Sequence, residues 1–195
     1  MMASLSLPSF INPDLTFNFD RLHSVTKTVV FNTDRCIDIS DYSSQDMFIS
    51  AHDTRALGVG VQGLAEVFMR MKLPFTSATS RNLNIDIFET IYHAALEASC
   101  DLARQYGPYN AWIGSPASRG ILQIDLWGAT PSNRHDFAGL RQDISHYGLR
   151  NSMLTTLMPA ATTSKLLGNI GSFEPYTRCY LYSAVIAGCS HLFIL

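Results

Sequence analysis

The chain has 195 residues and a formal net charge of −2, and charged side chains make up only 15% of it, against roughly 25% in an average soluble domain. That length suits one domain or part of a larger one, and so few charges imply a surface that other protein is expected to cover. The charge balance leaves no electrostatic footprint for nucleic acid.

Taken in chain order, residues 19–37 ("FDRLHSVTKTVVFNTDRCI") place Leu22, Val25, Val29 and Val30 at helical spacing, with Asp20 in position to cap. "ALGVGVQGLAEVFMRMKLPF" reads as a short apolar strand near residues 57–61, running into a helix through Phe68 that Pro74 ends. The clearest helix spans residues 84–105, with Ile85, Phe88, Tyr92, Leu96 and Ala103 as its apolar stripe, Asn84 as its cap and Gly107-Pro108 as its stop. A long Gly/Ser/Pro connection follows, "NAWIGSPASRGILQIDLWGATPSN", longer than a structureless loop usually runs. "HDFAGLRQDISHYG" is an amphipathic helix through Phe137, Leu140, Ile144 and Tyr147, closed by Gly148. Residues 152–157 then read as a buried strand that breaks at Pro159, and a small-residue turn opens a short helix ending at Gly168. Short buried strands alternating with helices predict an α/β fold. The apolar segment from Cys179 to Leu195 is the one membrane suspect. It is short for a spanning helix and carries Ser183, Ser190 and His191, so a buried terminal element, or a segment that no longer fits its fold, is expected instead.

Four cysteines, Cys36, Cys100, Cys179 and Cys189, form no CxxC pair and no zinc-ligand spacing, and are read as reduced thiols of a cytoplasmic protein. No basic region followed by an apolar run opens the sequence, so no secretory leader is expected. Gly58, Gly60 and Gly63 spell G-x-G-x-x-G, but no strand precedes them. Val59 and Val61 place the glycines within the strand, where glycine marks close approach of another backbone rather than a nucleotide turn. Glu89, His93, Glu97 and Asp101 lie four apart on one helical ridge, expected to be a solvated or salt-bridged face rather than a metal site. His23, His52, His135, His146 and His191 show no spacing that suggests a catalytic triad, and each is expected at the surface or at a helix end.

The turn at residues 159–163 carries chemistry of its own. A helix start presents unpaired N–H groups and a partial positive charge, and Pro159, Ala160, Ala161, Thr162 and Thr163 leave the approach to it open. Such a turn after an α/β strand is suited to an anion, most often phosphate. Thr162 or Thr163 acting simply as an N-cap is the alternative.

Laid in order, "LGVGVQGLAEVF", "IFETIYHAALEASCDLA", "GPYNAWIGSPASRGILQIDLW", "YGLRNSML", "MPAATTSKLLGN" and "FEPYT" resemble the large, catalytic subunit of ribonucleoside-diphosphate reductase of the eukaryotic type, over residues 3–177. The resemblance implies part of a ten-stranded α/β barrel, built from two five-stranded parallel halves. It makes residues 1–177 a fragment of the catalytic barrel domain and 178–195 a divergent apolar segment. It also assigns Pro159, Ala160, Ala161, Thr162 and Thr163 to the loop that cradles the substrate diphosphate. Ala160 stands where the family usually carries threonine and Thr162 where it carries serine, so one side-chain donor is lost and one kept. Phe137 replaces the family's usual tryptophan, one aromatic anchor for another.

The family reduces ribonucleoside diphosphates by radical chemistry and so supplies deoxyribonucleotides for DNA synthesis. The full-length family uses ATP and deoxynucleotide effectors, a radical from a di-iron small subunit, and a large-subunit homodimer. The thiyl cysteine, the reducing cysteine pair and the radical-relay tyrosines align with no residue here. No catalytic residue, metal or cofactor is therefore assigned to this chain, no nucleic acid or membrane partner is expected, and the isolated chain is expected to be inactive. The alternative reading is a non-catalytic truncated paralogue that binds nucleotide or reductase subunits.

Overall fold

The computed structural model describes residues 1–175, 180–184 and 190–194. Strand β1 (Met2–Ser6) pairs in parallel with β2 (Gly58–Gln62), Met2 opposite Gly58 and Ser6 opposite Gln62. The connection between them carries helices α1 (Phe19–Ile39) and α2 (Gln45–Thr54). After β2 come α3 (Leu64–Arg70), the long α4 (Ala78–Tyr106), the single turn α5 (Gln123–Leu126), α6 (Phe137–Tyr147) and α7 (Ala161–Leu167). Strands β3 (Tyr180–Ala184) and β4 (Ser190–Ile194) form an antiparallel pair. The fold is α/β, as expected, and among the described residues both sheets are two-stranded and unclosed. No helix there is long and apolar enough to cross a membrane. Cys179, Cys189 and the packing of residues 178–195 lie outside the described side chains.

Each segment forms for a local reason. In α1 the buried face is Leu22, Thr26, Val30, Thr33 and Ile37, with Val25 and Val29 at its border. Thr26 and Thr33 enter the core because their hydroxyls donate to the carbonyls of Leu22 (2.7 Å) and Val29 (2.6 Å), one turn back. The cap is Asn18, whose side chain accepts the Arg21 N–H at 2.9 Å, and Asp20 lies inside the first turn. Helix α2 was not legible in the sequence. Ser44 caps it and Arg55 ends it in the left-handed region, at φ +44°.

Helix α4 begins six residues before the expected start, capped by Ser77, which accepts the Ser80 N–H at 3.1 Å. Asn84 is therefore interior. The helix buries Ile87, Ile91, Ala94, Ala95 and Ala98, whereas Ile85 is 52% exposed. The long connection after it is not structureless, since it holds a 3-10 turn (Ala117–Arg119) and α5. Arg141 of α6 grips Asp125 with two bonds of 2.8 and 2.6 Å and anchors that connection. Helix α6 has the expected bounds, with Asp136 as its cap and Gly148 as its stop.

The expected strand at residues 152–157 is instead a single parallel bridge, Thr155 to Val59. The N–H groups of Leu57 and Val59, two residues apart, donate to the adjacent carbonyls of Met153 and Leu154 (2.9 and 2.8 Å). A regular ladder needs acceptors two apart, so the register is lost after one step. The same segment explains the glycines. A Cβ on Gly58 would lie 2.7 Å from the Thr156 methyl, and one on Gly60 would lie 2.8 Å from the Thr156 carbonyl oxygen. Both are strand residues, Gly60 admitting a neighbouring main-chain oxygen and Gly58 the Thr156 side chain, and Gly63, at φ +77°, caps α3.

Candidate functional site

The turn at residues 159–163 sits at the carboxyl edge of the parallel pair. Asn169, just beyond α7, donates from its side chain to the hydroxyl of Ser6, the last residue of β1, at 2.6 Å. The Gly63 N–H, next after β2, reaches the carbonyls of Ile170 (3.0 Å) and Ser172 (3.1 Å). The Ile170 N–H returns a bond to Glu66 Oε1 at 3.1 Å. Burial pushes the Glu66 carboxyl above its usual range, opposed by that bond and by Arg70. The far end of α7 is thereby moored to both strand ends. In open α/β sheets this edge is where ligands bind.

Within the turn, the Ala160 N–H donates to the Gly171 carbonyl at 2.6 Å, and Ala160 is the N-cap, with no side-chain bond. Neither Thr162 nor Thr163 caps, since both fall inside the first helical turn. Pro159, Ala161, Thr162 and Thr163 are exposed and Ala160 is buried. The main-chain N–H groups of Ala161, Thr162 and Thr163 find no acceptor among the described residues. The five residues named from sequence thus divide. Two shape the turn, and three present a row of donors flanked by two hydroxyls.

A second constellation has no local signature in the sequence. His23 of α1, His93 of α4 and His135, just before α6, each place one ring nitrogen within 4.8 Å of the other two. His23 Nε2 lies 3.3 Å from His93 Nδ1 and 3.2 Å from Glu97 Oε2. The ring centroids are 4.7 Å apart for His93 and His135, and 5.5 Å apart for each of the other pairs. His93 is 9% exposed, and its Nε2 is buried without a hydrogen bond. Burial lowers the pKa of His93, with His23 adding to the effect, and lowers that of His135, with His93 and His23 adding. A cavity of about 320 Å³ lined by Phe19, Asp20, His23, Arg134 and His135 opens beside them.

The rest of the α4 ridge behaves as the expected salt-bridged face. Lys27 of α1 reaches Glu97 and Asp101 at 3.0 Å each, and Glu89 accepts from the Ser132 N–H and hydroxyl at 2.9 and 2.7 Å. Of the thiols, Cys36 is exposed on α1 and Cys100 is buried on α4, where burial pushes its pKa up to about 11.

A family model described as the ribonucleotide reductase barrel domain matches residues 1–191. The chain is 49% identical over 188 residues to the ribonucleoside-diphosphate reductase large chain of Neurospora crassa, covering 96% of this chain and 20% of that protein. It is 47% identical over 187 residues to the large subunit of Caenorhabditis elegans, and 46% identical over 187 residues to that of Danio rerio, covering 96% of this chain and 24% of each relative. The chain therefore spans a fifth to a quarter of the length of these curated relatives.

Proposed function

The chain belongs to the ribonucleotide reductase barrel-domain family, and on that premise we propose that it is a segment of a ribonucleoside-diphosphate reductase large subunit whose turn at residues 159–163 receives the substrate diphosphate. The supporting observation is the row of N–H groups on the exposed residues Ala161, Thr162 and Thr163, without an acceptor among the described residues, at the carboxyl edge of β1 and β2. Helix α7 has only seven residues, so its dipole adds little, and the directed N–H donors carry the attraction. The Thr162 and Thr163 hydroxyls add donors, while Pro159 and Ala160 hold the turn open.

In this reading residues 1–177 are part of a ten-stranded α/β barrel and residues 178–195 a divergent segment. The complete protein is a cytoplasmic oxidoreductase. It forms a large-subunit homodimer, responds to ATP and deoxynucleotide effectors, and draws its radical from a di-iron small subunit to make deoxyribonucleotides. The chain by itself turns nothing over. The radical chemistry needs a reactive thiol, and of the two described thiols Cys100 is buried and protonated while Cys36 stands on a helix surface. The second reading, a truncated paralogue that binds nucleotide or reductase subunits without turnover, fits the two described thiols equally.

The test is a titration of the ¹⁵N-labelled chain with ADP and, separately, with pyrophosphate. The amide signals of Ala161, Thr162 and Thr163 are expected to shift and saturate with both. Unshifted signals there, with shifts elsewhere or nowhere, would overturn the assignment. Assaying the chain with a small subunit, reductant and ADP separates the two readings from an active enzyme, because deoxyribonucleotide formation would refute both.

A further inference from the structure

The histidine constellation stands apart from the proposed diphosphate turn and owes nothing to that reading. His23 Nε2 faces two groups at once, His93 Nδ1 at 3.3 Å and Glu97 Oε2 at 3.2 Å. A single proton on that nitrogen can serve only one of them. Glu97 Oε2 is buried and makes no hydrogen bond, while its other oxygen is held by Lys27 at 3.0 Å. Glu97 Oε2 is thus a buried acceptor left without a hydrogen bond beside an imidazole nitrogen, which is costly unless something else satisfies it.

His135 has its tautomer set from behind. The Thr90 hydroxyl spends its proton on the Asp86 carbonyl at 2.7 Å, so it must accept from His135 Nε2–H at 3.1 Å. The lone pair of that ring is then on Nδ1. A hydrogen-bonded partner fixing the second ring nitrogen is the usual support of a metal-bound histidine. The spacings fit the same chemistry. An ion held tetrahedrally at about 2.0–2.1 Å sets its nitrogens roughly 3.3 Å apart and its imidazole centroids roughly 5 Å apart. The 3.3 Å contact and the centroid separations of 4.7–5.5 Å match that pattern, and one ring nitrogen from each of the three histidines lies within 4.8 Å of the other two.

We propose that His23, His93 and His135 bind a divalent transition-metal ion of the zinc class, with Glu97 Oε2 as the fourth donor. Three imidazoles and a carboxylate select Zn²⁺ or its relatives over Mg²⁺ or Ca²⁺, which prefer all-oxygen shells. The site ties α1, α4 and the segment before α6 into one clamp.

The experiment is a titration of the complete chain with Co²⁺, followed by visible ligand-field absorption, with Zn²⁺ as competitor. The wild-type chain is expected to take up one Co²⁺ with the strong absorption of a tetrahedral site, and Zn²⁺ to abolish it. His23→Gln and His135→Gln, both partly solvent-facing, should lose the signal while keeping the helical circular dichroism of the wild type. Thr90→Val, which removes the group behind His135, should weaken binding by about 10–100-fold. A double variant, His52→Gln with His146→Gln, should bind as the wild type does. Weak octahedral absorption, retained binding in His23→Gln and His135→Gln, or loss in the double variant would each overturn the site, and the last two would reassign it to the surface.

Discussion

Asn151 Nδ2 donates to Asp34 Oδ1 at 2.8 Å across 117 residues of sequence, and both residues are 1% exposed. Asn151 also donates to the Arg55 carbonyl (3.0 Å) and accepts from the Ser99 hydroxyl (2.9 Å), while Arg55 Nε and Nη2 reach the Asp34 carboxylate at 2.9 Å each. Four segments meet in this one polar cluster. Asp34→Ala would leave the Arg55 guanidinium to Asp38 and deprive the buried Asn151 amide of an acceptor, and is expected to cost about 1–3 kcal/mol. Urea unfolding measures it, and a loss near zero would show that the cluster is not closed to water.

At Gly60 the added methyl of alanine meets a main-chain oxygen, Thr156 O at 2.8 Å, whereas at Gly58 it meets the end of the Thr156 side chain. Gly60→Ala is therefore expected to destabilise by about 1–3 kcal/mol, in the range of overpacked cores, and Gly58→Ala by less. Thermal melts of the two variants rank them. Equal losses would mean that residues 152–157 move freely.

Thr162→Asp places a negative charge among the donors of the proposed diphosphate turn. In the complete enzyme it should raise KM for the ribonucleoside diphosphate at least tenfold, about 1.4 kcal/mol of lost binding, with a smaller effect on kcat. An unchanged KM counts against the turn.

The two described thiols should differ sharply in reactivity. With its pKa pushed up to about 11, Cys100 is thiolate to roughly one part in a thousand at pH 8, and only the thiolate attacks. Peptide mapping after brief alkylation of the folded chain should find Cys36 modified and Cys100 intact. Comparable labelling would mean that α4 opens readily.

The histidine cluster predicts acid sensitivity without added metal. His93 and His135 have folded-state pKa values below their unfolded ones, through burial first and neighbouring histidines next. The folded state then binds fewer protons, so their contribution is complete above about pH 6.5 and is lost as pH falls below it. Glu89 and Glu97 on α4, Asp136 beside the cluster and Arg134 next to His135 complete the charges that bear on them. The wild type should lose more melting temperature between pH 7 and pH 5 than His93→Gln does. Equal slopes would show that the cluster is already hydrated.

What could be read from sequence was what neighbours in sequence decide. Helix α6 carries its cap, stripe and stop within thirteen residues, and the strand reading of Gly58 and Gly60 follows from the alternating Val59 and Val61. Helix α4 was misplaced at its start because Asn84 has the chemistry of a cap, whereas Ser77 does the work with help from Ser80 and Pro74. The strand at residues 152–157 failed for a tertiary reason, a slip in register against β2 that no apolar pattern records. The histidine cluster was invisible because its contacts span 70 and 45 residues. Only the position of His93 on the ridge that meets α1 hinted at it. The turn was legible as a small-residue helix start, but its mooring to Ser6, Gly63 and Glu66 was not.

Arg55 ends α2 with a left-handed backbone, a place where glycine would relieve about 1–3 kcal/mol of strain. From that same backbone its guanidinium neutralises Asp34 and Asp38. The helix stop and the ion pair are one residue, so they cannot be improved separately. Arg55→Gly should be harmful beside Asp34 and become tolerable only once Asp34 is also replaced by a neutral side chain. The order in which such changes are accepted is thus constrained, and a drifting copy of this chain can cross from one pair to the other only through a poorly folded intermediate.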